Sequence, residues 1–376
     1  MRIVVNAQCL LKDKLEGLGW FSYEVLKRLT TQHPEHTFIF IFDRKWDSSF
    51  IFAKNVKPFI LPPPSRHPFL WFLRFHILFP LLLIRLRADL YLSTDGWMPL
   101  CTRIKTVNVI HDINFEYFPK DLPFWYRFYY QFFFPRYARK CTRLATVSEY
   151  SKTDISKKYK VPLSKIDVVY NGCNENFVPI GKLQQENTRW EYCFNEQYFV
   201  FVGSLHPRKN LINLFKAFDI FKTNTKKDIK LLIVGQKRWW TEEINTVYDN
   251  LAHKDDIVFT GRVDEGKLHR IIGSSLAMTY VSYFEGFGIP ILEAFNCDTA
   301  LITSNVTSMP EIAGNAALFV DPFSPESIAV AMTQIATNES LRQELISKGR
   351  IQRQKFSWQK SANLVWECIQ KTIKED

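Results

Sequence analysis

Short apolar and β-branched runs alternate with longer amphipathic stretches along most of this 376-residue chain. Strand-sized runs separated by helical periods are the signature of βαβ units, and hence of parallel sheets. In the first half the pattern predicts strands at 2–5, 37–42, 89–92, 106–110 and 167–169, with helices at 20–32, 69–87, 123–139 and 150–159. In the second half it predicts strands at 198–202, 230–234, 257–259, 276–280, 300–303 and 317–320. Between the two series, residues 171–197 are polar and include Asn171-Gly172, Pro179 and Gly181, the composition of a linker. Beyond Pro322 the pattern is helical, opened by Ser324-Pro325-Glu326 as N-cap, first-turn proline and first-turn acid. The expected α/β organisation is a parallel-sheet domain at 1–178, a linker at 179–197, a second such domain at 198–357 and a final helical segment at 358–376.

Composition narrows this. Apolar residues make up 46% of the chain, enough for two cores, which excludes wholesale disorder. The seven cysteines are scattered without a C-x-x-C pair, so neither a disulfide framework nor a zinc ribbon is suggested and a reducing compartment is expected. The opening MRIVVNAQCL reads as a strand and lacks the architecture of a secretory leader. The longest apolar stretch, 69–84, is broken by Arg74, His76 and Pro80. A span needs about 20 clean residues, so a buried or amphipathic helix is expected there. Charge is uneven: residues 1–187 hold 27 Lys+Arg and 16 Asp+Glu, a net of +11, whereas 188–376 hold 22 of each. Something anionic is expected to meet the first half.

Four segments carry chemistry. In Phe201-Val-Gly-Ser-Leu-His-Pro-Arg-Lys-Asn210, a strand gives way to a turn and a helix start. Gly203 allows close backbone approach, Asn210 is a candidate helix cap, and Arg208 and Lys209 stand at a strand's carboxyl end, where open α/β sheets bind ligands. Adjacent cations there suit a pyrophosphate. In Phe284-Glu-Gly-Phe-Gly-Ile-Pro-Ile-Leu-Glu293, Gly286 and Gly288 open a loop and Pro290 starts a helix whose free N–H groups suit phosphate. Glu285 is placed in the loop and Glu293 in the first helical turn, both available to ligand hydroxyls. His111 and Asp112 follow the strand at 106–110. Glu16-Gly-Leu-Gly-Trp20 reads as a glycine turn between the first strand and first helix, a weak signal on its own.

Taken together, these segments make the chain resemble family 4 retaining glycosyltransferases of the GT-B fold, and among them bacterial mannosyltransferases of O-antigen and capsule assembly. The resemblance spans nearly the whole chain: Gly17-Leu-Gly19, Val109-Ile-His-Asp112, Thr146-Val-Ser-Glu149, Val169-Tyr-Asn-Gly172, Gly203 to Asn210, Gly261-Arg-Val263 and the E-x7-E segment from Glu285 to Glu293. It implies two Rossmann-like domains facing a cleft, with the last helix, after Phe356-Ser-Trp358, crossing back to the first domain. It further implies that Arg208 and Lys209 hold the donor diphosphate and stabilise the leaving group. Glu285 would contact the donor sugar and Glu293 the ribose, while the amides of Gly286, Phe287 and Gly288 serve sugar and phosphates. Gly261, Arg262 and Val263 would lie beside the base; His111 would bond the transferring sugar, and Gly19, in the Gly17 motif, would approach the phosphates. The reaction implied is same-face, retaining transfer of a hexose to a hydroxyl of a growing, lipid-linked surface glycan. The leaving phosphate would take the proton. No D-x-D pair occurs in the chain. That agrees with a metal-independent site needing no cofactor. Residue identity does not single out the donor, and GDP-mannose is the first to test.

A same-fold sugar-nucleotide epimerase or hydrolase is the alternative, decided by a product assay with and without acceptor. Nucleic-acid binding, raised by the net charge and the aromatic-rich 118–143, is set aside because no RNA-binding signature accompanies it. The basic, aromatic stretches 68–87 and 118–143 instead give the expectation of a cytoplasmic protein, peripheral on the inner face of the membrane, whose first domain meets anionic lipid.

Overall fold

The computed structural model describes residues 1–12, 15, 17–64 and 66–374. The chain divides into two compact units, Met1–Gly172 with Ser357–Asp376, and Cys173–Phe356. Among the described residues the first unit holds a seven-stranded sheet: β1 (Arg2–Asn6), β2 (Thr37–Phe42), β3 (Val56–Ile60), β4 (Leu90–Ser93), β5 (Lys105–Val109), β6 (Arg143–Thr146) and β7 (Ile166–Val168). The order is β3-β2-β1-β4-β5-β6-β7 and every pair is parallel. Helices cover both faces of such sheets, so central strands are apolar throughout, as Ile3-Val4-Val5 and Phe38 to Phe42 are, all buried. Strand β6, Arg-Leu-Ala-Thr, was not expected, its apolar run being only two residues long, and neither was strand β3, Val-Lys-Pro-Phe-Ile. It is an edge strand, where a proline is tolerated, and its Lys57 and Pro58 interrupt the apolar signal.

The 69–87 stretch forms one helical run in three pieces, Pro68–Phe72, Leu73–Leu78 and Phe79–Arg85, the middle one in π geometry. There the Phe79 N–H reaches back five residues to the Arg74 carbonyl, just before Pro80, which has no N–H to give. By length and composition the run could cross a membrane. One side of it is core, however: Trp71, Phe75, Phe79, Leu82 and Leu83 are buried with Trp97, Tyr129 and Phe133. Arg74 is buried too, donating to the Leu61 carbonyl and lying 5.1 Å from the Phe79 ring centre. Helix Trp358–Lys374 returns to this unit. Its Trp366 stacks on His33 at 3.5 Å, Lys371 Nζ reaches Asp167 at 2.8 Å, and its start leaves no room for a Cβ at Gly172.

The second unit holds a six-stranded parallel sheet: β8 (Gln197–Val202), β9 (Ile229–Val234), β10 (Ile257–Gly261), β11 (Ala277–Tyr280), β12 (Ala300–Ser304) and β13 (Leu318–Val320). The order is β10-β9-β8-β11-β12-β13. Ser324 Oγ accepts from the Ser327 N–H and caps helix Pro325–Thr337 as expected. The expected linker at 179–197 is corrected: it contains helix Lys182–Cys193, which belongs to the second unit through Gln185 Nε2, donating to the Gly273 carbonyl at 3.0 Å, and Glu191, 3.1 Å from Lys267. Polar but strong helix formers build it, and it buries only Thr188 and Cys193, so no apolar period announced it.

In both sheets the strand order reverses direction beside the first strand, between β1 and β4 and between β8 and β11. The carboxyl ends at such a switch point border a crevice. β8 and β11 pair only at Ala277 with Phe199 and Met278 with Val200, so their carboxyl ends are unpaired with each other.

Candidate functional site

Three strand ends in the second unit are stitched together by glycine. After β8, the Gly203 N–H donates to the Val234 carbonyl at 3.0 Å; after β9, the Gly235 N–H donates to the Gly261 carbonyl at 2.9 Å. Gly235 passes so close to Gly203 that a Cβ on it would stand 1.9 Å from the Gly203 carbonyl oxygen. Arg262 and Val263 follow Gly261, with Arg262 exposed.

From the Gly203 turn the chain enters a single 3₁₀ turn, Pro207–Lys209, capped by His206 Nδ1 accepting from the Arg208 N–H at 3.2 Å. Asn210, expected to cap the next helix, does not. Its backbone is left-handed, and its Nδ2 donates to the Val281 and Pro322 carbonyls at 2.9 and 2.7 Å, fastening this turn to the β11 loop. Arg208 and Lys209 are thereby aimed at that loop. Arg208 Nη1 stands 2.9 Å from Glu285 Oε2 and also donates to the Phe284 carbonyl; Lys209 Nζ donates to Glu285 Oε1 at 2.7 Å and to the Tyr280 hydroxyl at 3.0 Å. Glu285 is buried. Burial pushes its carboxyl up, but the charges of Arg208 and Lys209 and the Lys209 hydrogen bond overrule it and hold it at about 2.

Gly288 precedes helix Ile289–Asn296 with φ at +97°, a left-handed turn that favours glycine, and Pro290 sits in the first turn. Ser308 Oγ donates to the Glu285 and Phe287 carbonyls at 2.9 and 3.1 Å and shapes the loop through Gly286. The Phe287 ring is buried edge-on to Phe356, 5.7 Å away. Glu293 lies in the second turn of its helix rather than the first, because the helix starts at Ile289. Burial, then the Glu285 and Glu293 charges, push the Tyr280 phenol well up. Tyr280 and Gly235 were not singled out in the sequence. A polar tip on the last residue of β11 and a glycine closing β9 were the available signals.

The first unit carries a separate cluster at its own switch point. His111 follows β5, and its Nε2 lies 3.0 Å from the Thr94 carbonyl, which can only accept. Burial lowers its pKa, so the ring is neutral at pH 7 with Nδ1 as the acceptor. The Thr94 turn is pinned by the buried Asp95, which accepts from Asn6 Nδ2, Gln8 Nε2 and Ser93 Oγ at 2.8–3.0 Å. Burial raises the Asp95 pKa. Gly17 and Gly19 fall inside the first turn of helix Gly17–Gln32, not in a turn ahead of it. A Cβ on Gly19 would meet the Cys9 carbonyl at 3.2 Å, so tight helix packing accounts for that glycine. Glu16 lies outside the described residues.

Paired cations locked to a buried carboxylate at the switch point, beside a glycine-proline helix start, bring together groups of the kind that bind anions. The family model described as Glycosyltransferase Family 4 matches residues 16–177, and the one described as Glycosyl transferases group 1 matches 184–352. The chain belongs to the family 4 glycosyltransferases. This glycosyltransferase is 27% identical over 273 residues to O-antigen chain mannosyltransferase B of Escherichia coli, covering 68% of this chain and 67% of that protein. To O-antigen chain mannosyltransferase RfbU of Salmonella typhimurium it is 29% identical over 269 residues, covering 71% of each. The crystal structure of Anabaena Alr3699/HepE in complex with UDP and glucose superposes with a TM-score of 0.77 at 15% identity, over 99% of this chain and 100% of that one, and so shares the GT-B fold.

Proposed function

We propose that this glycosyltransferase moves a hexose with retention of configuration, using neither metal nor cofactor, onto a hydroxyl of a lipid-linked surface glycan. GDP-mannose is the donor to test first, because the curated relatives named above are O-antigen mannosyltransferases. The observation carrying this reading is the grip of Glu285 on Arg208 and Lys209. Each cation has several N–H donors, so each can bridge the carboxylate and a diphosphate. Held in place beforehand, they would meet the charge that grows on the leaving phosphate without rearranging. The phosphate would accept the acceptor's proton. Glu285 and Glu293 would address donor hydroxyls, the amides of 286–288 the sugar and phosphates, and Gly261 to Val263 the base. His111 Nδ1 would accept from a sugar hydroxyl.

The test is product formation from GDP-mannose in EDTA, with the anomer assigned by NMR. Activity should persist and the anomer be retained. Loss in EDTA reversed by Mn²⁺, or an inverted anomer, would overturn the mechanism. Arg208→Ala and Lys209→Ala should each lower turnover at least about tenfold in a folded protein. In the same reading the protein is cytoplasmic and works on the inner face of the membrane. The charge of its first unit supports this: 29 Lys+Arg against 17 Asp+Glu, a net of +12, where the second unit has 20 against 21.

A further inference from the structure

The charge excess has a structural focus. Opposite the core side of the helical run Pro68–Arg85, Phe69, Phe72, Ile77, Leu81 and Ile84 face outward, with Phe69 68% and Ile84 71% exposed. Their spacing is three, five, four and three residues. The step of five spans the π segment Leu73–Leu78, whose wider turn absorbs the extra residue and keeps all five on one side. Helix Phe124–Lys140 does the same with Phe124, Trp125, Phe128 and Phe132, Trp125 being 61% exposed. The two helices lie side by side: Tyr126 packs edge-on to Trp71 at 5.2 Å and donates its hydroxyl to the Arg66 carbonyl at 2.8 Å, and Phe133 stacks on His76 at 4.5 Å. The stripes border each other where Phe72 meets Phe133, beside Phe132. Apolar patches of this kind are rare on surfaces that meet only water.

Every formal charge within these two helices is positive. No Asp or Glu occurs from 69 through 88 or from 122 through 148. Arg85, Arg87, Arg139 and Lys140 are exposed at the helix ends, and Arg136 and Arg127 lie over the rings of Phe132 and Phe124 at 3.4 and 5.6 Å. We infer that these two helices form an in-plane lipid-docking face. The Phe, Trp, Leu and Ile side chains enter the boundary between headgroups and acyl chains, and the cations meet anionic headgroups. A nucleic acid would leave Ile77, Leu81 and Ile84 against a charged backbone. A second copy would set one basic face against another. The face serves the lipid-linked acceptor of the proposed function, yet its contact with lipid is separable from the sugar chemistry.

The full chain is sedimented with phosphatidylcholine vesicles, with and without phosphatidylglycerol. It should bind those containing phosphatidylglycerol, and high salt should weaken the binding. Leu81→Glu/Trp125→Glu should weaken it at least about tenfold, and Arg139→Gln/Lys140→Gln should weaken it at low salt. Brominated acyl chains should quench fluorescence that Trp125→Phe removes, separating insertion from surface adsorption. Donor-induced thermal shift, measured in parallel, should be unchanged in these variants and shows that they are folded. If that shift is absent from wild type while vesicle binding holds, the donor site fails and the face stands. No binding to phosphatidylglycerol vesicles, equal binding by Leu81→Glu/Trp125→Glu, or a change in oligomeric mass as its only effect would overturn the lipid face.

Discussion

Glu285 has two jobs that pull in opposite directions. A buried carboxylate is unfavourable alone, and so are two cations packed beside one another; together they are stable and correctly aimed. Its carboxyl is held at about 2 against 4.5 when unperturbed, so the ion pair's stabilisation is complete above about pH 4.5 and is lost as pH falls towards 2. Glu285→Gln leaves Arg208 and Lys209 without their counter-charge. It should destabilise the unliganded protein by about 3 kcal/mol at pH 7. The gap to wild type should shrink as pH falls from 4.5, and calorimetry across that range checks both. A gap that stays constant with pH would mean the carboxylate is not what holds the cations. Both cations and Glu285 were legible in the sequence, because charge at a strand's carboxyl end is a local signal. Tyr280, which bonds Lys209 from 71 positions away, was not: its partner is chosen by the alignment of two strands.

At the level of elements, the apolar runs located most strands whose two faces are buried, but not β6, Arg-Leu-Ala-Thr, whose apolar run is only two residues long. They failed where a few polar residues break a short edge strand, as at Lys57 and Pro58, and where a helix is held by polar contacts, as at Lys182–Cys193. Loops are the opposite case: Gly203, Gly261 and Gly288 drew attention from sequence alone, but what each glycine makes room for appears only in three dimensions. Gly235 shows this best. Its neighbour is the Gly203 carbonyl oxygen, a backbone atom that cannot swing aside as a side chain would. Gly235→Ala should therefore force the β8 and β9 turns apart and destabilise the protein by about 1–3 kcal/mol. Donor affinity should fall with it, since Arg208 is mounted on the displaced turn. A urea titration and a donor titration read the two effects, and an unchanged urea midpoint would show that the turns do not meet at this glycine.

For the whole molecule, charge and chemistry are segregated. The second unit is nearly neutral and holds the paired cations, Glu285 and Glu293; the first holds the net positive charge, the exposed apolar helices and His111. That split was readable from residue counts, because net charge needs no knowledge of contacts, whereas the side of each helix that faces outward had to come from packing. Segregation makes the two kinds of ligand separable by where they protect the chain. A nucleotide that binds the folded second unit stabilises it by mass action. With GDP or GDP-mannose, amide exchange should slow at 203–210, 235, 261–263 and 284–293 and in strands β8, β9 and β11, while β1, β2 and β4 exchange as before. Phosphatidylglycerol vesicles should reverse the map, slowing exchange at 68–85 and 124–140 and leaving β8, β9 and β11 unchanged. Nucleotide protection centred on β1, β2 and β4 would place the donor in the wrong unit. Vesicle protection spread evenly over both units would mean that lipid binds by charge alone, without the two-helix face.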